Sequence, residues 1–362
     1  MSWKLNPIGE FAAYAPHWAQ LNTLCGNSPL LHLDFIEPML AHLADGDEWL
    51  ACYERDGKIA AMAILKQRSR NTWETFQPSQ QPLGPWLSDP ALPLPQLLHE
   101  LTRALPGMPL VVGITQRDPF LAARPADGGA ITTSPYIETA KITLSGTFDD
   151  YWLGRGKNLR ANLKKQRNKL LKEGIATRLD IVVAPDDMTD AVADYGRLES
   201  AGWKADKGTA VNMDNAQGRF YRDMLARFAA RGAGSVYRYW FDDRLVAMNL
   251  CIEGDGSLIV LKTTYDESLS NNYSPAFLMR EDECKQLFGD SRYQRLEFYG
   301  RVMEWHRRWT DEVRTMYHVS SYRWPALLRL HSLVKQGRAA LQRPRTQAAA
   351  PGPQPTGEPS TE

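Results

Sequence analysis

Apolar positions between residues 235 and 264 fall into three short runs that predict consecutive strands. The predicted strands are Ser235–Phe241, Leu245–Ile252 and Ser257–Thr264, with a turn at Asp242 and Asp243. A helix is predicted from Pro275 to about Leu287, because Ser274 is a favoured N-cap residue, proline is favoured at the first helical position and Gly289 is a stop signal. A strand that leads into a helix N-terminus presents free backbone N–H groups and the positive end of the helix dipole. The segment therefore indicates a site for an anion such as a pyrophosphate.

The same patterns predict mixed helices and strands along the rest of the chain. The other predicted helices are Phe11–Leu24, Asp34–Leu43, Leu97–Leu105, Met188–Ser200 and Met213–Arg231. The other predicted strands are a meander from Trp49 to about Phe76, then Pro109–Ile114, Tyr136–Leu144, Thr177–Val183 and Gln294–Tyr299. Gln77–Pro95 is a predicted loop, Asp118–Leu121 a predicted helix start, and Asp311–Ser320 a partly extended segment.

Residues 56–64 and 242–250 share one order of residue types. In both, a turn is followed by a basic residue, an aliphatic pair, Ala-Met and further apolar residues. This match has two possible explanations. One is chance similarity between two amphipathic hairpins, and the other is duplication of a domain. Duplication predicts that Ile59–Ile64 and Leu245–Leu250 occupy equivalent strands in two superimposable halves. The spacing is too long for a solenoid repeat.

The length, charge and motif content of the chain exclude several classes of protein. The chain has 362 residues, enough for two domains, and a formal net charge of +1, which gives no global electrostatic case for DNA binding. There is no run of 18 or more apolar residues, the first residues lack a signal-peptide core, and the four cysteines are scattered. These features predict a cytoplasmic protein. P-loop, Rossmann and nucleophile-elbow motifs are absent from the sequence, as are zinc-ligand spacings, so no metal site is predicted.

Two basic segments have alternative interpretations. Residues 155–172 carry eight cations and no acid on a predicted helix that ends at Gly174. They are either a solvated helix face or a contact surface for an anion such as CoA, a nucleotide-linked sugar, a lipid pyrophosphate or tRNA. Trp324–Leu341 is a predicted basic amphipathic helix, which either covers the core or contacts a membrane surface. Residues from Arg343 onward have the composition of a disordered tail.

Several of these motifs, in this order, resemble the FemAB-like and CelD-like acyltransferases, which are built from two GNAT-like halves. The resemblance covers roughly Phe148 to Trp309. It rests on the basic helix, on Glu199 with Trp203-Lys204, on the 242–250 hairpin, on Tyr265-Asp266-Glu267 with Tyr273-Ser274-Pro275, and on residues 304–309. The chain departs from the family by having Ala276 where members often have Gly, and Trp305-His306 where they often have Tyr-Lys.

The resemblance implies an α+β fold with two tandem GNAT-like domains and mixed, mostly antiparallel sheets. The implied domains are an N-terminal half over residues 1–146 and a C-terminal half over 147–322 that holds the active site. A basic helix over 323–342 and a tail over 343–362 follow them. The implied cofactor-binding residues are Val260, Lys262, Asn272, Tyr273, Ser274 and Ala276. The implied substrate-binding residues are Trp203, Lys204, Tyr265, Tyr299, Arg160 and Lys164.

The catalytic candidates are Glu199, Asp266 and His306, and Glu297 and Glu304 are weighed beside them as general bases. The implied function is transfer of an acyl group, such as acetyl, from acyl-CoA to an amine on a sugar, lipid-linked sugar or amino-acid-like acceptor in polysaccharide or cell-envelope biosynthesis. One alternative is an aminoacyl-tRNA-dependent peptide transferase, which the near-neutral charge disfavours. Another is a non-catalytic accessory protein of a polysaccharide synthase. Through residues 324–341 the chain would also contact the inner membrane peripherally.

Overall fold

A computed structural model describes residues 2–201, 211–269, 273–330 and 333 of the chain. The strands are β1 (Ser2–Pro7), β2 (Trp49–Arg55), β3 (Lys58–Ser69), β4 (Thr72–Thr75), β5 (Trp86–Ser88), β6 (Val111–Arg117), β7 (Ile131–Thr143), β8 (Thr177–Val182), β9 (Gly234–Phe241), β10 (Arg244–Gly254), β11 (Ser257–Tyr265), β12 (Arg295–Phe298) and β13 (Val313–Tyr322). The helices are α1 (Phe11–Leu24), α2 (Leu33–Leu43), α3 (Leu94–Ala104), α4 (Phe148–Leu153), α5 (Lys157–Lys172), α6 (Met188–Ser200), α7 (Ala216–Ala230), α8 (Pro275–Phe288) and α9 (Glu304–Trp309). Residues 325–330 are also helical.

Most predicted elements are confirmed, and the differences have local causes. The segment at Asp118–Leu121 is a turn rather than a helix start, because the Asp118 carboxylate accepts the backbone N–H of Phe120 and closes the chain locally. The predicted loop Gln77–Pro95 contains β5, which pairs with β3. The apolar and basic residues from Phe148 to Lys172 form two helices, α4 and α5, since Gly154 and Gly156 separate them.

The strands form one continuous sheet whose two ends have the same pairing pattern. From one end the order is β1-β2-β3-β4-β6, and from the other it is β8-β9-β10-β11-β12. In both series the first four strands are antiparallel and the fifth is parallel to the fourth. Therefore β3, with Ile59–Ile64, and β10, with Leu245–Leu250, are each the third strand from an end, as the repeat in the sequence predicts.

The centre of the sheet exchanges strands between the two series. β7 comes before α4 in the chain but pairs with β12, and β13 comes after α9 but pairs with β6. β7 and β13 also pair with each other. Each series is therefore completed by a strand from the other part of the chain.

Helices cover both faces of the second series. Leu258 and Val260 of β11 pack in the core that contains residues of α5 and α8, whereas Ile259 packs in the core that contains residues of α6 and α7. This alternation follows from the two-residue repeat of a strand. Phe35 of α2 and Phe220 of α7 meet edge to face in the core that contains Ile259, with ring centroids 5.3 Å apart. The two halves thus share one core, and burying each such aromatic side chain contributes about 1.5–3 kcal/mol.

Candidate active site

An opening in the sheet begins where β11 and β12 separate. Their parallel ladder ends at the pair Val260 and Phe298, and β11 continues to Tyr265. On its other edge, β11 has a register shift at Leu261, which lies between the residues paired with Leu250 and Cys251. A bulge of this kind re-aims a strand and its backbone groups. The result is a cleft beside β11 that begins at Val260 and Phe298, which form its closed end.

A cavity of about 390 Å³ lies at this cleft, between β11, the N-terminus of α8 and α9. Its lining residues are Thr263, Tyr265, Tyr273, Ser274, Pro275, Ala276, Phe277, Arg280, Trp305 and Trp309. The predicted cofactor-binding residues Tyr273, Ser274 and Ala276 are therefore brought together here, as is the predicted substrate-binding residue Tyr265. Asn272 lies outside the described residues.

The N-terminus of α8 forms one wall of the cavity. Ser274 occupies the N-cap position and Pro275 the first helical position, but the prediction that the Ser274 hydroxyl caps the helix is wrong. The backbone N–H of Ser274 instead donates to Oε1 of Gln166 on α5 at 2.7 Å, and the hydroxyl accepts from the Gln166 amide at 3.3 Å. The first-turn N–H groups of α8 are thus left without a side-chain cap, which suits an anion at this end of the helix.

A buried polar chain that the sequence did not reveal lies behind the cavity wall. The Thr263 hydroxyl donates to Oδ1 of Asn249 at 2.7 Å, and the Asn249 amide lies 3.3 Å from both carboxylate oxygens of Glu283. Arg280 of α8 forms an ion pair with Glu283. Burial raises the pKa of Glu283, although Arg280 and Asn249 favour its ionised form. An arginine in an amphipathic helix is usually exposed, so no local pattern indicated this cluster.

The predicted base His306 is buried beside the cavity and is not one of its lining residues. Its ring stacks on Trp305, and Nδ1 accepts the backbone N–H of Met303 at 2.9 Å. Burial, with a contribution from nearby Arg280, lowers the pKa of His306 to about 4. The neutral ring therefore carries its proton on Nε2 and can donate but not accept there. This geometry supports a role in positioning Trp305 rather than in accepting a proton.

Glu199 lies at the end of α6, against the sheet face opposite α8. It is 3% exposed, accepts the backbone N–H of Val211 at 2.8 Å and lies 3.3 Å from the ammonium of Lys262. Lys262, predicted to bind cofactor, points toward this face and lies over the rings of Tyr195 and Tyr221. The neighbouring residue Thr263 points into the cavity, so the two faces meet at β11. Trp203 and Lys204 lie outside the described residues.

The other candidates have structural partners. Burial alone would raise the pKa of Asp266, but hydrogen bonds from Ser268 and Arg244 outweigh burial and hold the pKa of that carboxyl below its usual range. Asp266 is not a lining residue of the cavity. Tyr299, beyond the end of β12, donates to Asp118 at 2.9 Å. Val260 is the last residue of β11 paired with β12.

The basic helix α5 has one bonded face and one exposed face. Arg167 pairs with Glu281 and Asp282 of α8, each at 2.7 Å, and the Nε of Arg160 donates to the carbonyl oxygen of Arg155. The exposed lysines of α5 are Lys157, Lys164, Lys165 and Lys172. Lys157 and Lys164, together with Arg160 and Arg167, line a second depression on this surface.

Three acidic residues elsewhere, Asp45, Asp47 and Glu48, are close enough together to ligate a cation. The ammonium of Lys66 already lies 2.7 to 2.9 Å from all three carboxylates. The ammonium offsets part of their negative charge and contacts all three, so the group is best described as a four-residue ion-pair cluster.

A comparison with known protein families finds a match in the second part of the chain. Residues 157–307 match the family model described as an acetyltransferase (GNAT) domain. No curated protein matches the sequence.

Solved structures show the fold of most of the chain. The C-terminal domain of a putative lysylphosphatidylglycerol synthetase from Agrobacterium fabrum is 12% identical, with a TM-score of 0.54, over 89% of this chain and 96% of that one. FemX is 8% identical, with a TM-score of 0.53, over 88% and 98% of the two chains. A conserved protein of unknown function from Bacteroides thetaiotaomicron is 9% identical, with a TM-score of 0.51, over 88% and 99%. Residues 157–307 are thus an acyltransferase domain of the GNAT type, within an α+β chain of two GNAT-like halves.

Proposed function

We propose that this enzyme transfers an acyl group from acyl-CoA to an amine, with the donor in the cavity between β11, α8 and α9. The opening of the sheet beyond Val260 and Phe298 carries the proposal, because it joins an aromatic cavity to strand backbone and to an uncapped helix end. The pyrophosphate would lie at the N-terminus of α8, beside Ser274 and Ala276, and the thioester near the closed end of the cleft.

The acceptor would approach from the face that carries Glu199. Its amine nitrogen forms a bond to the thioester carbon, the carbon–sulfur bond breaks, and CoA leaves as a thiolate that takes up a proton. The amine must lose a proton in the process, and Glu199 is the proposed acceptor of that proton. Its carboxylate is held in place by the N–H of Val211 and by Lys262, so its position is fixed before substrate binds.

The chemical class of the acceptor is proposed from the family resemblance alone. An amine on a sugar, a lipid-linked sugar or an amino-acid-like compound suits the resemblance to FemAB-like and CelD-like enzymes. A role in polysaccharide or cell-envelope biosynthesis, a cytoplasmic location and acetyl as the acyl group belong to the same proposal. None of the described helices is long and apolar enough to cross a bilayer. Contact of residues 324–341 with a membrane surface stays a proposal.

A second candidate function is transfer of an aminoacyl group from tRNA. The observation that favours it is the exposed lysine face of α5, the helix whose Gln166 bonds Ser274 of the cavity wall. Phosphates of a nucleic acid would bind such a face with strong dependence on salt. The two candidates differ in the donor, and a binding measurement with acetyl-CoA separates them.

Isothermal titration calorimetry with acetyl-CoA tests the acyl-CoA proposal. The parent should bind one equivalent, and Ala276→Asp should abolish binding, because a carboxylate would stand beside the phosphates. The variant should still melt at or above the parent's temperature, since an acid suits the first turn of a helix. Ala276→Ser controls for size, and Ala216→Asp, at the first residue of α7, controls for charge. Unimpaired binding by Ala276→Asp would place the donor elsewhere, and absence of binding by the parent would favour the tRNA candidate.

A further inference from the structure

The outward face of α5 carries its cations in ordered rows. Lys157, Lys164 and Leu171 are spaced seven residues apart, so they lie on one stripe of the helix. Lys165 and Lys172 repeat the same spacing on the neighbouring stripe. The opposite face of α5 is buried in the core that it shares with α8. The lysines are therefore presented to solvent along about 22 Å of helix.

The positive charge of this face is not neutralised within the part of the protein that the structure describes. Residues 155–172 contain no acid, and none of the four exposed lysines forms an ion pair with another described residue. The ion pairs of α5 are made by other cations, Arg167 and Lys169. Arg160 and Lys164 stand four residues apart, where like charges destabilise a helix. The face therefore suits an anionic partner that supplies the missing negative charge.

The two most exposed large hydrophobic side chains among the described residues flank these lysines. Leu171, at the C-terminal end of α5, is 75% exposed, and Leu153, the last residue of α4, is 67% exposed. A single exposed leucine is common on a protein surface and needs no partner. Here, however, Leu171 and Trp152 line the same depression as Lys157 and Lys164. Apolar and cationic side chains thus share one surface.

We propose that the outward face of α5 docks the protein on a membrane surface rich in anionic lipid. The lysines would contact lipid phosphates, and Leu153 and Leu171 would enter the boundary between headgroups and acyl chains. This inference goes beyond the proposed function and does not depend on acyl transfer.

Two other polyanionic partners fit this surface less well. A nucleic acid would gain from the cations but little from leucine, because bases stack on aromatic and arginine side chains. A protein interface has an apolar centre and a polar rim. On α5 the order is reversed, since Leu153 and Leu171 stand at the two ends and the lysines lie between them. A lipid surface accepts both kinds of side chain in this arrangement.

Co-sedimentation of the full chain with lipid vesicles tests the proposal. The protein should bind vesicles made of equal parts of phosphatidylglycerol and phosphatidylcholine, and it should not bind vesicles of phosphatidylcholine alone. The triple variant Lys157→Gln/Lys164→Gln/Lys172→Gln should bind on the order of a hundredfold more weakly, because each lysine near an anionic surface contributes about fivefold. These side chains are exposed, so the melting temperature should stay close to that of the parent.

Matched variants control for charge and for apolar surface. Lys58→Gln/Arg70→Gln/Arg103→Gln removes the same charge from exposed positions outside α5 and should leave binding nearly unchanged, because distant charges are screened. Leu171→Gln should weaken binding about tenfold through the loss of apolar burial. Leu24→Gln changes a leucine at the end of α1 that is 54% exposed, and it should bind as the parent does.

The outcomes that would overturn the proposal are distinct. Vesicle binding that survives both the triple lysine change and Leu171→Gln would place the membrane contact elsewhere, such as at residues 324–341. Failure of the parent to bind anionic vesicles at low salt would exclude membrane docking by α5. Binding of tRNA by that same protein, lost in the triple lysine variant, would then assign the face to nucleic acid.

Discussion

Arg314 of β13 and Asp118, which directly follows β6, form a bidentate ion pair in the protein interior. Nε donates to Oδ1 at 2.8 Å, and Nη2 donates to Oδ2 at 2.7 Å. Asp118 also accepts the hydroxyl of Tyr299, and Arg314 lies 2.8 Å from Glu297 of β12. Burial raises the pKa of Glu297 in spite of this neighbour. The cluster joins residues from both halves of the chain.

Asp118→Asn should therefore lower the free energy of unfolding by about 3–5 kcal/mol, because it leaves Arg314 with less compensation in a buried site. Urea unfolding followed by circular dichroism measures this. The double variant Asp118→Leu/Arg314→Met should cost less than the sum of the two single changes. A loss below about 0.5 kcal/mol for Asp118→Asn would mean that the cluster adds little to the joining of the halves.

Glu199→Gln should reduce the rate of acyl transfer by roughly 10²- to 10⁴-fold, because glutamine cannot take the proton of the amine. Affinity for acetyl-CoA should stay unchanged, since Glu199 lies on the other face of the sheet. Release of CoA thiol in the presence of an accepted amine reports the rate. Glu304→Gln is the matched control, as that side chain is 85% exposed and pairs with Arg308. Equal rates in the two variants would argue against Glu199 as the base.

His306 should make the protein less stable in mild acid. Its pKa is lowered from 6.5 to about 4 in the folded state, so between these values the unfolded chain binds more protons. The free energy of unfolding should fall as pH decreases from about 6.5 to 4, by on the order of 3 kcal/mol from this residue. His306→Asn keeps an acceptor for the Met303 N–H and should remove that part of the slope. Parallel pH profiles for parent and variant would show that His306 does not contribute.

Gln166 rather than Ser274 should fix the loop that enters α8. Gln166→Ala leaves the Ser274 N–H without its acceptor and should cost about 1 kcal/mol in urea unfolding. Ser274→Ala removes only the weak 3.3 Å contact and should stay within about 0.5 kcal/mol. If Ser274→Ala proves the more damaging change, the hydroxyl caps the helix after all.

The basic helix should separate into a binding face and a structural face. Replacing Lys157, Lys164 and Lys165 with Gln should change stability by less than about 0.5 kcal/mol, weaken binding of an anionic ligand and flatten its salt dependence. Arg167→Gln should instead lower the melting temperature, because Glu281 and Asp282 lose their partner. Filter binding of tRNA between low and high salt tests the first part. Unchanged affinity and slope in the triple variant would mean that these lysines are only solvated.

Local patterns in the sequence predicted the elements that surround the cavity. Ser274 and Pro275 marked the start of α8, and the β-branched run from Ser257 marked β11. Such signals depend on neighbouring residues, so a single sequence contains them. They also identified Glu199 as a candidate, although its burial beside Lys262 depends on packing of α6 against the sheet.

Non-local contacts could not be predicted in the same way. Arg280 is buried because Glu283, Asn249 and Phe298 surround it, and these residues meet only in the folded chain. Asp118 was expected to begin a helix, but its partners are Tyr299 and Arg314, more than 180 positions later. No local sequence pattern indicates that Asp118 contacts Tyr299 and Arg314.

The exchange of β7 and β13 makes the two halves interdependent by construction. A fragment ending near residue 146 would keep β7 but lose β13, the strand that lies between β6 and β7. Its sheet would open into two pieces, each with an unpaired edge of the kind that draws in other chains. Co-translated or mixed fragments could close those edges by reassembly, whereas either fragment alone would tend to aggregate. Because of this exchange, neither half could be moved into another gene as an independent module.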